Sequence, residues 1–520
     1  MQQISLPSQF NVATHFVNRH VLEGRGARIA FECGEERVTY QQLFDRVNQV
    51  GNALKKLGVG REERVALVLL DTPDFAYSFF GAIKIGAVPI PINALLKPAE
   101  YLYILNDSEA RFAIVSEPLL AGIDTIGRDQ LLHLEEVLVA GGTNGECSLT
   151  AAMGVCSAEL KAEVTSKDDP AFWLYSSGST GFPKGCVHLH RDMVVCSELY
   201  AKATLGITEA DRFFSVAKLF FAYGLGNGLY FPLSVGATSI LWPGTPAPAN
   251  VYNVIERYRP TLFFSVPSNF AALLACRRED CADFDLSSIR YAVSAGEALP
   301  AAIYQRFKER FGVEILDAIG STEALHMFIA NRPGAVRPGS SGQILRGYEA
   351  RILDENEQPV ADGQVGNLLI KGDSVCSHYW KQPEKTRETI RDGWLRTGDK
   401  YCRDADGYYW YAGRSDDMLK VKGSWVSPIE IENVLTQHPA VQEAAVVGRT
   451  NEEQLVRPAA YVVLSPGANA TPELPRELRE FVASKLAGFK RPEWVEFVNE
   501  LPKTATGKIQ RYKLRNKTGG

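Results

Sequence analysis

No Cys-x-x-Cys pair occurs anywhere in the 520 residues, and the nine cysteines (33, 147, 156, 186, 196, 276, 281, 376 and 402) are scattered singly. An odd count of isolated thiols in a long chain excludes a disulfide framework and a zinc ribbon, and points to reduced thiols in a cytoplasmic enzyme. Long apolar runs are missing too. The longest, such as Val65–Leu70 and Ala444–Gly448, have strand length, far below the roughly 18 residues that span a bilayer. The start, Met1-Gln-Gln-Ile-Ser-Leu-Pro, has neither a basic patch nor an apolar core, so it does not read as a signal peptide. Clustered basic charge is also absent. The net charge is −5 with no basic tail and no acidic block, which argues against a nucleic-acid partner and against a membrane-surface partner. There is no internal repeat and no low-complexity stretch.

What is present is an ordinary globular composition, 45% hydrophobic and 22% charged, in a chain too long for one core, since single cores stop growing near about 250–300 residues. Strand-like and helix-like segments take turns. Val65–Leu70 is followed by a helical Phe75–Ile85, then Ala87–Ile92 and Phe112–Val115. The rhythm returns with Thr261–Val266 and a helix through Leu274, then Ile289–Val293 and a helix over Ala301–Phe311. Such alternation implies an α/β fold with parallel sheets. From about Tyr348 the texture changes: Ala350–Leu353 and Asn367–Ile370 read as hairpin strands of a small β subdomain. After Gly413 a compact α+β segment follows, with helices over Ile429–Thr436 and Leu478–Leu486 and strands at Ala444–Val447 and Ala459–Val463. The expected division is a large domain, 1–415, and a small one, 416–520.

The chemistry concentrates in short segments. The apolar strand Ala171–Tyr175 runs into Ser176, Ser177, Gly178, Ser179, Thr180, Gly181 and, three residues on, Lys184. Hydroxyls, curling glycines whose N–H groups can face an anion, and a full positive charge make a triphosphate grip. A solvated Gly/Ser turn is the bland alternative, weakened because these positions contain almost no filler. The loop is not a Walker loop, since Lys184 is followed by Gly185 and is separated from Gly181; the glycines of Tyr223–Gly228 also miss the dinucleotide spacing.

This loop resembles the signature of the acyl-adenylate-forming superfamily, which includes acyl-CoA synthetases, firefly luciferase and peptide-synthetase adenylation domains. Four further motifs follow in the family's order: Asp317-Ala-Ile-Gly320-Ser321-Thr322-Glu323, Trp394-Leu-Arg-Thr-Gly-Asp399, Gly413-Arg414-Ser-Asp416, and Pro502-Lys-Thr-Ala-Thr-Gly-Lys508. The resemblance covers nearly the whole chain. It implies a large adenylate-forming domain with a mobile lid, and the use of ATP, Mg2+ and CoA. Thr322 would touch the α-phosphate and Glu323 would help hold the metal, with Asp317, Gly320 and Ser321 alongside. Asp399 would take the ribose hydroxyls, with Arg414 nearby. Asp416 would be the hinge, Gly423 would line a pantetheine tunnel, and Lys508 would be the catalytic lysine. Each role has a physical counterpart: a carboxylate approaching a polyphosphate needs cations at both ends of the reaction line. Alone, Asp399 would read as a turn residue and Arg414 with Asp416 as a surface ion pair.

The runs Lys218–Gly226, Ser294–Pro300 and Ile319–His326 resemble those of benzoate-CoA ligases. By that resemblance Ala222, Tyr223, Ala295, Gly296, Gly320, His326 and Met327 line an acyl pocket. A flat ring needs small residues on one wall and an aromatic face on the other, and this set has both. His326 is left open between a buried structural histidine and a substrate contact. Met327 stands where a branched aliphatic is expected, and its deformability would tolerate ring substituents. The leading expectation is benzoate + ATP + CoA going to benzoyl-CoA, AMP and pyrophosphate through benzoyl-adenylate. Alternatives are a ligase for 4-hydroxybenzoate or 2-aminobenzoate, a stand-alone enzyme loading an aryl group onto a carrier protein, and a non-catalytic nucleotide sensor. Monomer and homodimer are both open, and the resemblance implies acylation of Lys508 as an off-switch.

Overall fold

The computed structural model describes residues 4–142, 147–176, 182–277, 283–414, 417–421, 424–451, 455–503 and 509–516. The near-continuous apolar runs become central strands of parallel sheets, where both faces are covered. Leu262–Ser265, Tyr291–Ser294 and Ile315–Gly320 pair in parallel in the middle of a nine-stranded sheet. Antiparallel partners close its ends: Met327–Ala330 and Gln343–Ile344 at one, Glu36–Thr39 at the other. Arg64–Val68 lies between Val88–Pro91 and Phe112–Ser116 in a second, four-stranded parallel sheet.

Helix Pro73–Lys84 is buried on nearly every side, which accounts for its lack of a polar stripe. The neighbouring helix Tyr40–Lys56 packs against it. That helix starts where it does because Thr39 and Gln42 form a reciprocal cap, each side chain accepting the other's backbone N–H at 3.2 and 2.8 Å.

The phosphate-loop region differs from the strand-to-helix arrangement usual in α/β folds. Strand Pro170–Ser176 pairs antiparallel with Lys184–Leu189, in register Ser176 opposite Lys184. The intervening residues therefore connect a β-hairpin, and no helix dipole follows them. The β subdomain is a five-stranded antiparallel sheet in which Glu349–Leu353 pairs Gly366–Lys371, which in turn pairs Trp394–Arg403.

Beyond Arg414 the chain builds a separate core from Leu419, Val421, Val426, Ile431, Leu435, Val446, Val462, Leu478 and Val482. Its elements are helices Pro428–Leu435 and Leu474–Lys485 and the strands Val441–Thr450, Val456–Leu464 and Trp494–Phe497. The helix at Leu474 begins four residues before the expected start. Among the described residues, no helix is long and apolar enough to cross a membrane.

Candidate active site

A cavity of about 740 Å³ opens outside the carboxyl ends of the central parallel strands, the usual ligand position in such sheets. Ser176, Lys184, Gly296, Gly320, Ser321, Thr322, Glu323, Asp399 and Arg414 all line it. They come from four sequence regions and three different sheets, joined here by the fold alone.

The hairpin delivers Ser176 and Lys184 side by side. Ser176 Oγ donates to Glu323 Oε1 at 3.2 Å, and Tyr379 Oη donates to the same oxygen at 2.9 Å. The Lys184 ammonium lies 4.5 Å from the centre of the Tyr379 ring. Tyr379 thus steadies a carboxylate and a cation together. No local pattern marked it, because it follows Glu323 by 56 positions. The backbone around Glu323 is pinned as well. Cys376 N–H donates to the Glu323 carbonyl at 2.6 Å, and His188 Nε2 bonds the Thr322 carbonyl at 2.8 Å. His188 is itself held through Nδ1 by Asp192 at 2.9 Å, with both side chains fully buried. Leu325, just beyond, has φ +65°, a strained conformation for a large residue of the kind that clusters at functional sites.

Asp399 and Arg414 face each other on adjacent strands of the β subdomain. Arg414 Nη1 donates to Asp399 Oδ1 at 3.2 Å and to the Thr397 carbonyl at 3.1 Å. Gly398 makes this possible. Its φ is +75°, and a Cβ there would stand 2.7 Å from Arg414 Nη2. Asp317 differs from its expected companions: it is 3% exposed and lies behind the wall, with Oδ2 accepting the Leu299 N–H at 3.3 Å. Burial pushes its carboxyl well above the usual range.

Of the residues expected to form an acyl pocket, Gly296 and Gly320 line this cavity, and Ala222, Tyr223, Ala295, His326 and Met327 are not part of its lining. Tyr223 Oη donates to the carbonyls of Ser265 and Val293, at 3.2 and 3.1 Å, which ties the ring to two central strands. Ala222, Ala295, His326 and Met327 are buried around it. The His326 ring centre is 4.4 Å from Phe231, 5.4 Å from Tyr200 and 5.8 Å from Tyr223. Its Nε2–H donates to Asn227 Oδ1 at 3.2 Å, and burial pushes its pKa down to about 3. The imidazole is therefore neutral at physiological pH. Asn227 was missed in the sequence; its place within the glycine run Gly226-Asn227-Gly228 was the available sign. Glycine is required at 226, where a Cβ would come within 2.4 Å of His326 Cδ2. Ser177, Gly178, Ser179, Thr180, Gly181, Asp416, Gly423 and Lys508 lie outside the described residues.

A cavity that combines a hydroxyl-and-lysine hairpin, a braced glutamate and an Asp–Arg pair suits a nucleotide, and the comparisons with known proteins agree. The AMP-binding enzyme model matches residues 18–380 and the AMP-binding enzyme C-terminal domain matches 430–508; the chain belongs to the AMP-binding enzyme family. It has that family's acyl-CoA synthetase fold, a large α/β domain followed by a small C-terminal one.

Among its relatives, the benzoate–CoA ligase of Thauera aromatica is 48% identical, over 99% of this chain and 97% of that protein. The 4-hydroxybenzoate–CoA/benzoate–CoA ligase of Rhodopseudomonas palustris is 43% identical, over 98% and 95%. The crystal structure of an anthranilate CoA ligase in complex with anthranoyl-AMP superposes with a TM-score of 0.95 at 46% identity, covering 99% of this chain and 98% of that one.

Proposed function

We propose that this chain is an ATP-dependent, AMP-forming aryl-CoA ligase with benzoate as its preferred acid. The observation that carries the reading is the meeting, in one cavity, of Lys184, Glu323, Asp399 and Arg414 with a stretch of wall made of small residues, Gly296, Ala298, Ala318 and Gly320. The full-length similarity to aryl-CoA ligases supports it.

In the first half-reaction a benzoate oxygen attacks the α-phosphorus of ATP, the bond to the bridging oxygen breaks, and pyrophosphate leaves. Lys184 shields the β- and γ-phosphates, and Thr322 donates to the α-phosphate. Lys508, from the small domain, bridges the incoming carboxylate and the α-phosphate. Asp399 accepts from the ribose hydroxyls, with Arg414 holding its carboxylate in place. In the second half-reaction the CoA thiol loses its proton and its sulfur attacks the acyl carbon, so that the C–O bond to phosphate breaks and AMP leaves. We place the domain boundary between residues 415 and 416. On this reading Asp416 is the hinge about which the small domain turns between steps, and Gly423 lines the pantetheine path.

Glu323 suits a magnesium ion that arrives with the nucleotide. Mg2+ takes one or two carboxylates beside phosphate oxygens and water, not an all-protein cage, and no cluster of three or more His, Cys, Asp or Glu ligands occurs among the described residues. When bound, the ion supplies charge neutralisation at the leaving pyrophosphate.

One observation favours a second reading, a benzoate bearing a hydroxyl or amino group. His326 Nδ1 is buried with no hydrogen-bond partner among the described residues. With Nε2 carrying the proton toward Asn227, Nδ1 offers a lone pair to a donor on the ring. A panel of benzoate, 4-hydroxybenzoate and 2-aminobenzoate with ATP, Mg2+ and CoA, read by pyrophosphate release and thioester mass, decides between the two. Benzoyl-CoA as the fastest product is expected. Adenylate without any thioester would point to carrier loading, and no product from any of the acids would overturn the ligase.

A further inference from the structure

Glu297 occupies the turn between strand Tyr291–Ser294 and helix Ala301–Phe311, and its carboxylate lines the same cavity as Ser176, Lys184 and Thr322. A fixed negative charge is a poor neighbour for a triphosphate, because like charges at close range repel. Its hydrogen bonding supplies the reason for its presence. Glu297 Oε1 accepts the backbone N–H of Ile509 at 3.0 Å, and Ile509 follows Lys508 directly in the chain.

The rest of the Ile509 neighbourhood is held from within the small domain. Ile509 pairs antiparallel with Lys503, and Gln510 N–H donates to the Pro502 carbonyl at 2.7 Å. The chain is thereby clipped on both sides of residues 504–508. Lys503 Nζ donates to both carboxylate oxygens of Glu443 at 2.8 Å each. Arg511 Nη2 donates to both oxygens of Glu432, at 2.9 and 2.8 Å. These partners move with the clip. Glu297 does not, since it belongs to the large domain. Among hydrogen bonds between described residues, and away from the linker after Arg414, the one from Ile509 to Glu297 is where the small domain meets the large one.

We propose that Glu297 is a positioning residue for adenylate formation: it docks the chain next to Lys508 against the acyl side of the cavity, and it releases that chain for the thioester step. The proposal rests on the role given to Lys508 above. A carboxylate accepting a backbone N–H makes a charge-assisted bond, stronger than a neutral one. It exists in one domain arrangement only, so it favours that arrangement without touching the reacting atoms.

The test measures the two half-reactions separately in the full-length enzyme, with benzoate and ATP for the first and supplied benzoyl-adenylate and CoA for the second. Glu297→Ala is expected to slow adenylate formation about tenfold or more, the order of a lost charge-assisted hydrogen bond. Thioester formation should stay within about twofold, which also reports an intact fold. Glu297→Gln retains an acceptor and should restore most of the lost rate. Equal loss in both half-reactions, an unchanged adenylation rate in Glu297→Ala, or no rescue by glutamine would each overturn the positioning role. Lys508→Ala run in parallel separates the levels: normal adenylation in that variant would overturn the reading of Lys508 and the proposal with it.

Discussion

The two walls of the active site are built on different principles. The nucleotide wall is polar and partly open, and it consists of charges braced by other polar groups: Glu323 by Ser176 and Tyr379, Asp399 by Arg414. The proposed acyl wall is nearly uncharged, and its character lies in volume: glycine at 226, 296 and 320, alanine at 222 and 295, with rings filling what remains. Charge placement tolerates small shifts because electrostatic attraction falls off slowly with distance. Packed interiors do not, since a single methyl group already forces a neighbour to move. On the proposed function, chemistry common to any acid falls to the first wall and the choice of acid to the second.

The difference is sharpest for Lys508→Ala. Removing the cation that meets the developing charge should lower the adenylation rate by about 10²–10³-fold. Thioester formation from supplied benzoyl-adenylate should be nearly unchanged, and rapid-quench measurement of both steps checks this. Next in size, Asp399→Ala should raise the KM for ATP about tenfold to a hundredfold, the cost of charge-assisted hydrogen bonds to a diol. The relative rates with benzoate and its hydroxy and amino derivatives should not move; a changed acid preference would break the separation of the walls.

Gly226→Ala addresses the other wall. A Cβ within 2.4 Å of His326 Cδ2 forces the imidazole aside. The kcat/KM for benzoate should fall about tenfold, within the 1–3 kcal/mol that overpacking costs, while the KM for ATP is retained. Steady-state kinetics with each substrate varied in turn reads both numbers.

The smallest effect is on stability. His326 has a folded pKa of about 3, below its ordinary 6.5, because burial disfavours the charged form. The unfolded chain therefore binds a proton that the folded one refuses between pH 6.5 and 3. The stability tied to this group is complete above pH 6.5 and declines as pH falls through that window. At pH 5.5 the loss is on the order of 1 kcal/mol. Thermal unfolding at pH 7.5 and 5.5 should show a shallower pH slope in His326→Gln than in the parent.

Much of the nucleotide wall was legible in the sequence, because its groups travel in short runs: Ser176 with Lys184, Thr322 with Glu323. Asp317 shows the limit of that legibility. It belongs to the same run, yet it lies in the fully buried part of the strand, before the end that reaches the cavity, and accepts the Leu299 N–H. Tyr379 and His188 carried no local sign at all, and the run Ser294–Pro300 that holds Glu297 gave no sign of its partner. Each acts on a residue brought near by sheet pairing or by domain contact. The phosphate loop left one point open, since an apolar strand running into glycines fits a hairpin as well as a strand-to-helix turn. Only the partner strand Lys184–Leu189 distinguishes them.

By itself the sequence determined the family, the alternating α/β plan and the ingredients of the nucleotide grip, because these depend on neighbours along the chain and on periodicities of a few residues. Tertiary structure alone decided which ingredients meet. It set Arg414 opposite Asp399, gave Glu323 its tyrosine, closed a cage of rings around a neutral His326, and laid the chain after Lys508 on Glu297. Those pairings depend on register, on stacking and on the docking of one domain against another, and no local run of residues encodes them.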